Sequence, residues 1–165
     1  MANKQSFTPA EWSEILESTM LAGVAVSAAD PSGLWGTLKE ALATRSALAS
    51  AKAVASSELI KAVAADLETS EGHSIVQEAM GRHVSGAKPA EIVHSSLESL
   101  RKVSAILDEK APGEAASFKI FLLGISHKVA EACTEGAFLG FGGAKISDSE
   151  KATLEDIAKS LGTSA

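Results

Sequence analysis

Apolar residues return every three or four positions along most of this chain, and nowhere do they alternate with polar ones over a strand's length. That spacing is the signature of helices with one buried face. Thr8-Pro9-Ala10-Glu11 forms a capping box with proline at the first helical position, and Phe7 and Trp12 stand where a hydrophobic staple packs. The helix this predicts runs to about Ala29. Its first half sets Trp12, Ile15 and Leu16 against Glu14 and Glu17, whereas Met20 to Val26 is apolar all round and predicts burial at that end. Asp30-Pro31-Ser32-Gly33 breaks it.

From Leu34 to Glu68 there is no proline and only Gly36. A single helix of that length would span about 50 Å, too long for a compact bundle, so a break is expected near Ser56-Ser57. Ser70 to Val84 reads as a short helix ended by Ser85-Gly86-Ala87. Pro89 opens the next, with a stripe of Val93, Leu97, Leu100 and Leu107 flanked by Ile92, Val103 and Ile106, and Pro112-Gly113 as its end. Phe118, Phe121, Leu122, Ile125, Val129, Ala132 and Cys133 trace one face of a further helix. Ile120 and Leu123 fall on the opposite side, which predicts that its start is buried all round. After a glycine-rich stretch from Gly136 to Ile146, Ser147-Asp148-Ser149-Glu150 is a second capping box. It precedes Leu154, Ile157, Ala158 and Leu161, with Gly162 as the stop. The fold class these elements predict is all-α, a single-domain bundle of about six to eight helices. Leu16, Val24, Phe121, Ile125, Val129 and Ile157 are expected in one core.

One pattern occurs twice. An offset of 105 places Ile15 on Ile120, Leu16 on Phe121, Met20 on Ile125, Val24 on Val129, Ala25 on Ala130, Ala28 on Cys133 and Asp30 on Glu135. Each helix ends in an acid and is followed by a segment carrying glycine and bulky apolar residues. Leu34 and Trp35 follow the first; Phe138, Leu139 and Phe141 follow the second. A helix with an early acid, Glu40 or Glu150, comes next. Two related helix–loop–helix units, about 8–55 and 114–162, would account for the pattern, as would the shared 3.6-residue period of any two amphipathic helices.

Ala28-Ala29-Asp30, then Gly33, then Glu40 resembles the acidic turn of tellurite-resistance B-like (TerB-like) proteins. Gly143-Ala-Lys-Ile-Ser-Asp-Ser-Glu150 with Leu154, Ile157, Ala158 and Leu161-Gly162 is similar to the helix after that family's second such turn. The resemblance covers about a third of the chain. It implies an all-α bundle of duplicated units whose acidic turns, here Asp30, Glu40, Glu135 and Glu150, are candidates for holding a divalent cation in a stress-response domain.

Composition narrows the classes. The net charge is −6 and the pI about 5.2, which argues against a nucleic-acid binder, and with no tyrosine and few aromatics a base-stacking platform is not expected either. Thirty alanines favour helices that approach closely. A lone cysteine, Cys133, forms no internal disulfide, and the longest uncharged run, Ser18 to Ala29, is twelve residues, so no transmembrane segment is expected and a cytoplasmic location is.

Candidate chemistry is sparse. Glu91-Ile-Val-His94 has the spacing of di-iron bundles but occurs once, on a face shared with Glu98 and Arg101 that reads as solvated. His127, Glu131 and Glu135 line one helix face and form an alternative metal stripe, or the polar side of an amphipathic helix. Gly142-Gly143-Ala144-Lys145 lacks the order of a phosphate-binding loop. Its glycines let Phe138, Leu139 and Phe141 fold inward, the commoner fate, or meet a protein partner or a second copy. No catalytic constellation is expected, and enzyme activity is the least favoured of three classes. An interaction or scaffold module ranks first and a divalent-cation-binding domain second.

Overall fold

The structure is a computed structural model that describes residues 2–29, 57–135 and 146–163, with residues 132–135 described by their backbone alone. A short 3-10 turn at Lys4–Ser6 leads into α1 (Pro9–Ala29). Then follow α2 (Glu58–Leu67), α3 (Ser70–Val84), α4 (Pro89–Lys110), α5 (Pro112–Glu135) and α6 (Asp148–Leu161), with no strand among the described residues. The protein is an all-helical bundle.

The caps sit where local chemistry puts them. Glu11 accepts from the Thr8 N–H at 2.7 Å, and the Thr8 hydroxyl accepts from the Glu11 N–H at 3.3 Å. Phe7 and Trp12 complete the staple with ring centroids 5.8 Å apart. Ser57 is the N-cap of α2, its hydroxyl accepting from the Ile60 N–H. Gly162 takes the left-handed conformation, φ 69°, that lets α6 stop. Pro112 does more than end α4. It opens α5, because a residue with no N–H loses nothing at a first helical position, and only Ala111 separates the two helices.

Helix α1 is the axis of the bundle, buried almost continuously from Trp12 to Ala28. It packs against α4, α5 and α6 on one side and α3 on another. Ion pairs set the directions. Glu11 meets Lys110 at 3.1 Å and Glu14 meets Lys102, so α4 runs antiparallel to α1. Asp108 holds the Lys119 ammonium with both oxygens at 2.7 Å across the sharp α4–α5 corner, so α5 is antiparallel to α4 and parallel to α1. The Ser126 hydroxyl donates to the Ala22 carbonyl at 2.9 Å where the parallel helices touch.

Packing corrects four expectations. Val24 belongs to a second cluster with Met20, Leu21, Ala28, Ala79 and Ile92, because α1 is covered from two sides; Leu16, Phe121, Ile125, Val129 and Ile157 share the main core. The buried face of α4 keeps Leu97, Leu100 and Leu107 of the expected stripe but is turned toward Ile92, Ser96, Val103 and Ser104, leaving Val93 and Ile106 half-buried. That rotation brings the Ser104 hydroxyl onto the Leu161 carbonyl of α6. Leu123 is buried, but Ile120 is 62% exposed, so the start of α5 is not enclosed all round. Glu17 is buried rather than solvated, because α3 crosses over it and brings Arg82 to its carboxylate.

Candidate functional site

The parallel run of α1 and α5 decides which parts of the chain come together. From the Ala22–Ser126 contact, Ala29 lies seven residues on and Glu135 nine, roughly 10 and 14 Å at helical rise, toward the same end of the bundle. The two described segments that precede the glycine-rich and bulky apolar sequences therefore finish side by side. Ser57, the first described residue after Ala29, lies at the opposite end, where its hydroxyl donates to Glu114 Oε2 at 2.8 Å. Of the residues paired by the 105-residue offset, Leu16 and Phe121, Met20 and Ile125, Val24 and Val129, and Ala25 and Ala130 are buried on both sides; Ile15 is buried and Ile120 exposed.

Asp30 and Glu40, proposed as cation ligands from the sequence, lie outside the described residues, as do Phe138, Leu139 and Phe141. Glu135 is the last residue of α5, and its side chain is not among those described. His127 is half-buried and Glu131 exposed on the same helix. Among the described residues no three His, Cys, Asp or Glu side chains converge as a metal set.

Glu150 is the one of the four acids whose surroundings are visible. As the third residue of α6 it completes the capping box, with Oε2 accepting from the Ser147 N–H at 2.8 Å and the Ser147 hydroxyl at 2.7 Å. An ordinary helix-start acid would be solvated, but this residue is 3% exposed, and its second oxygen, Oε1, is buried with no hydrogen-bond partner among the described residues. A buried carboxylate oxygen left unpaired is costly, and such groups in native proteins call for a ligand, a proton or water. The Ser96 hydroxyl on the buried face of α4 and the Ser160 hydroxyl of α6 also have no partner among the described residues.

Other charged groups that the sequence did not single out are structural. Glu114 gathers three donors: the Ala2 N–H at 2.7 Å and, on its other oxygen, the Leu59 N–H and the Ser57 hydroxyl at 2.8 Å each. Burial alone would raise its pKa, but these donors outweigh burial and hold the carboxyl below its ordinary value. Asp66 behaves alike. Burial opposes ionisation, and the Trp12 indole at 2.5 Å with the Lys4 ammonium at 3.0 Å reverses it. In the Glu91-x-x-His94 pair, Glu91 caps α4 by accepting from the Lys88 N–H, and His94 faces Glu98 at 3.5 Å on an exposed surface. His83 Nδ1 lies 3.1 Å from the Ser95 hydroxyl.

No family model, characterised protein or solved structure matches this chain. No helix among the described residues is long and apolar enough to cross a membrane.

Proposed function

We propose that this protein is a helical interaction module of the cytoplasm, engaging a protein partner or a second copy at the end of the bundle where α1 and α5 finish. The observation that carries the reading is the parallel contact of these two helices at Ala22 and Ser126. It brings to one end the points from which Leu34 and Trp35, and Phe138, Leu139 and Phe141, continue. Tryptophan and phenylalanine are among the residue types enriched at interface cores, which is what these two sequences supply.

The test is a photo-crosslinking amino acid at position 138, with position 98 on an exposed helix face as control. The expected result is a discrete adduct from 138 and none from 98. A Leu139→Ser, Phe141→Ser variant carrying the same crosslinker at 138 should lose the adduct and keep its melting temperature. If that variant instead loses several kcal/mol of stability, as for emptied core sites, these residues are core and the reading fails.

A second reading is favoured by Glu150 Oε1. In it, a hard divalent cation takes that oxygen together with Asp30, Glu40 and Glu135, as the TerB-like resemblance implies. Metal-stripped protein should then melt higher with calcium, magnesium, manganese or zinc, since binding to the native state alone stabilises it by mass action. A shift that survives both Asp30→Asn and Glu150→Gln, or no shift with any of the four, removes this reading.

A further inference from the structure

Helix α3 is held differently from its neighbours. Of its fifteen residues only Gly72 and Ala79 are buried, against fifteen of the twenty-one in α1. Its start is fixed: the Thr69 hydroxyl caps it, and a side chain at Gly72 would lie 2.1 Å from the Asp66 carbonyl oxygen, so this turn sits tight on α2. Beyond that point the attachment thins. Val76, Met80 and Val84 lie half-buried over Met20, Leu21, Val24 and Ala28 of α1 and Ile92 of α4. Near its far end, Arg82, whose side chain is 60% exposed, pairs with the Glu17 carboxylate beneath it.

We infer that α3 is a displaceable strap over an apolar groove, and that the groove accepts an amphipathic helix of a partner protein carrying the strap's own pattern. That pattern is apolar side chains spaced as Val76, Ala79, Met80 and Val84, with a cation spaced as Arg82. Segments with few buried apolar contacts open at lower free energy than the core. Opening this one uncovers a surface of methionine, leucine, valine, alanine and isoleucine side chains, the kind that receives a helix in a groove. Charge selects the occupant. Glu17 is 5% exposed, and a buried carboxylate stripped of its partner is strongly destabilising, so an intruding helix must bring its own cation to the same place.

Hydrogen exchange on the whole protein tests the strap, and a labelled peptide of residues 69–86 tests the groove. Amides of residues 76–84 are expected to exchange at least about tenfold faster than those in the middle of α1, with a shallower dependence on denaturant. Met80→Ala should accelerate them further and leave α1 unchanged. The peptide should bind that variant at least about fivefold more tightly than the unaltered protein, whose strap competes for the groove. A peptide with Arg82→Ala should not bind. Exchange of α3 in step with α1 overturns the strap. Absence of peptide binding to both proteins overturns the groove, and dimerisation of the Met80→Ala variant in its place makes a second copy the occupant and overturns the partner assignment.

Discussion

Glu114→Gln is the substitution whose cost follows most directly from the geometry. The carboxylate ties together the chain before α1, the start of α2 and the first turn of α5 through donors at 2.7, 2.8 and 2.8 Å. Glutamine keeps one acceptor, so the Ala2 bond survives without its charge. Its amide nitrogen then replaces the oxygen that receives both Ser57 and Leu59. The Ser57 hydroxyl can turn and accept, but the Leu59 N–H faces another donor. Hydrogen bonds to a charged group contribute about 1.5–3 kcal/mol each and neutral ones about 1, so losing one and weakening two at a half-buried site costs about 3 kcal/mol. For a chain of this size that lowers the melting temperature by about 6–12 °C. The sign of the pH dependence is also fixed. The folded pKa is depressed, so the contribution is present above the ordinary value of 4.5 and is lost as pH falls through the folded value. Urea titrations at neutral pH and at successively more acid pH should show the gap between the two proteins narrowing. A gap under about 1 kcal/mol at neutral pH, or one that does not change with pH, would refute the reasoning.

Phe121→Ala should cost about 3–5 kcal/mol in the same assay, because the ring is buried and sits edge-on to Phe118 at 5.7 Å; a loss under about 1 would show that the site collapses without cost. Ile120→Ser should stay within about 0.5 kcal/mol, as for substitutions away from the core, and a loss above about 2 would mean this face is covered in solution. Far-UV circular dichroism should show helix with no sheet band, and a clear β contribution would contradict the fold.

The parts of this fold legible in the sequence are those decided within one turn of the chain. The boxes at Thr8–Glu11 and Ser147–Glu150, the staple of Phe7 on Trp12, the start of the Ser70–Val84 helix and the stop at Gly162 all rest on groups five residues apart or fewer. What failed depends on which helices surround which. Ile15 and Ile120 stand at equivalent points of the same repeat of apolar residues, and only the neighbours of α1 distinguish the buried one from the exposed one. Glu17 looked like a surface acid because Arg82, its partner, is 65 residues away. The site was legible to the same depth. Glu150 was identifiable as a cap from four residues, but its burial arises from α6 packing on α1, α4 and α5, which no local pattern records.

The order of synthesis runs against the order of burial in this protein. Helix α1 precedes every helix that covers it, and its two main partners, α4 and α5, are complete only at residue 135. At about 5–20 residues per second a ribosome needs on the order of ten seconds to supply them. Throughout that interval a twenty-one-residue segment, apolar over most of its surface and unable to bury itself alone, stands in water. Its partners at Lys102, Lys110 and Ser126 are far away in sequence, so loop closure must precede these contacts and slows folding beyond what helical content suggests. Moving α1 to follow α6, by circular permutation, would place it after the helices that cover it and shorten that exposure.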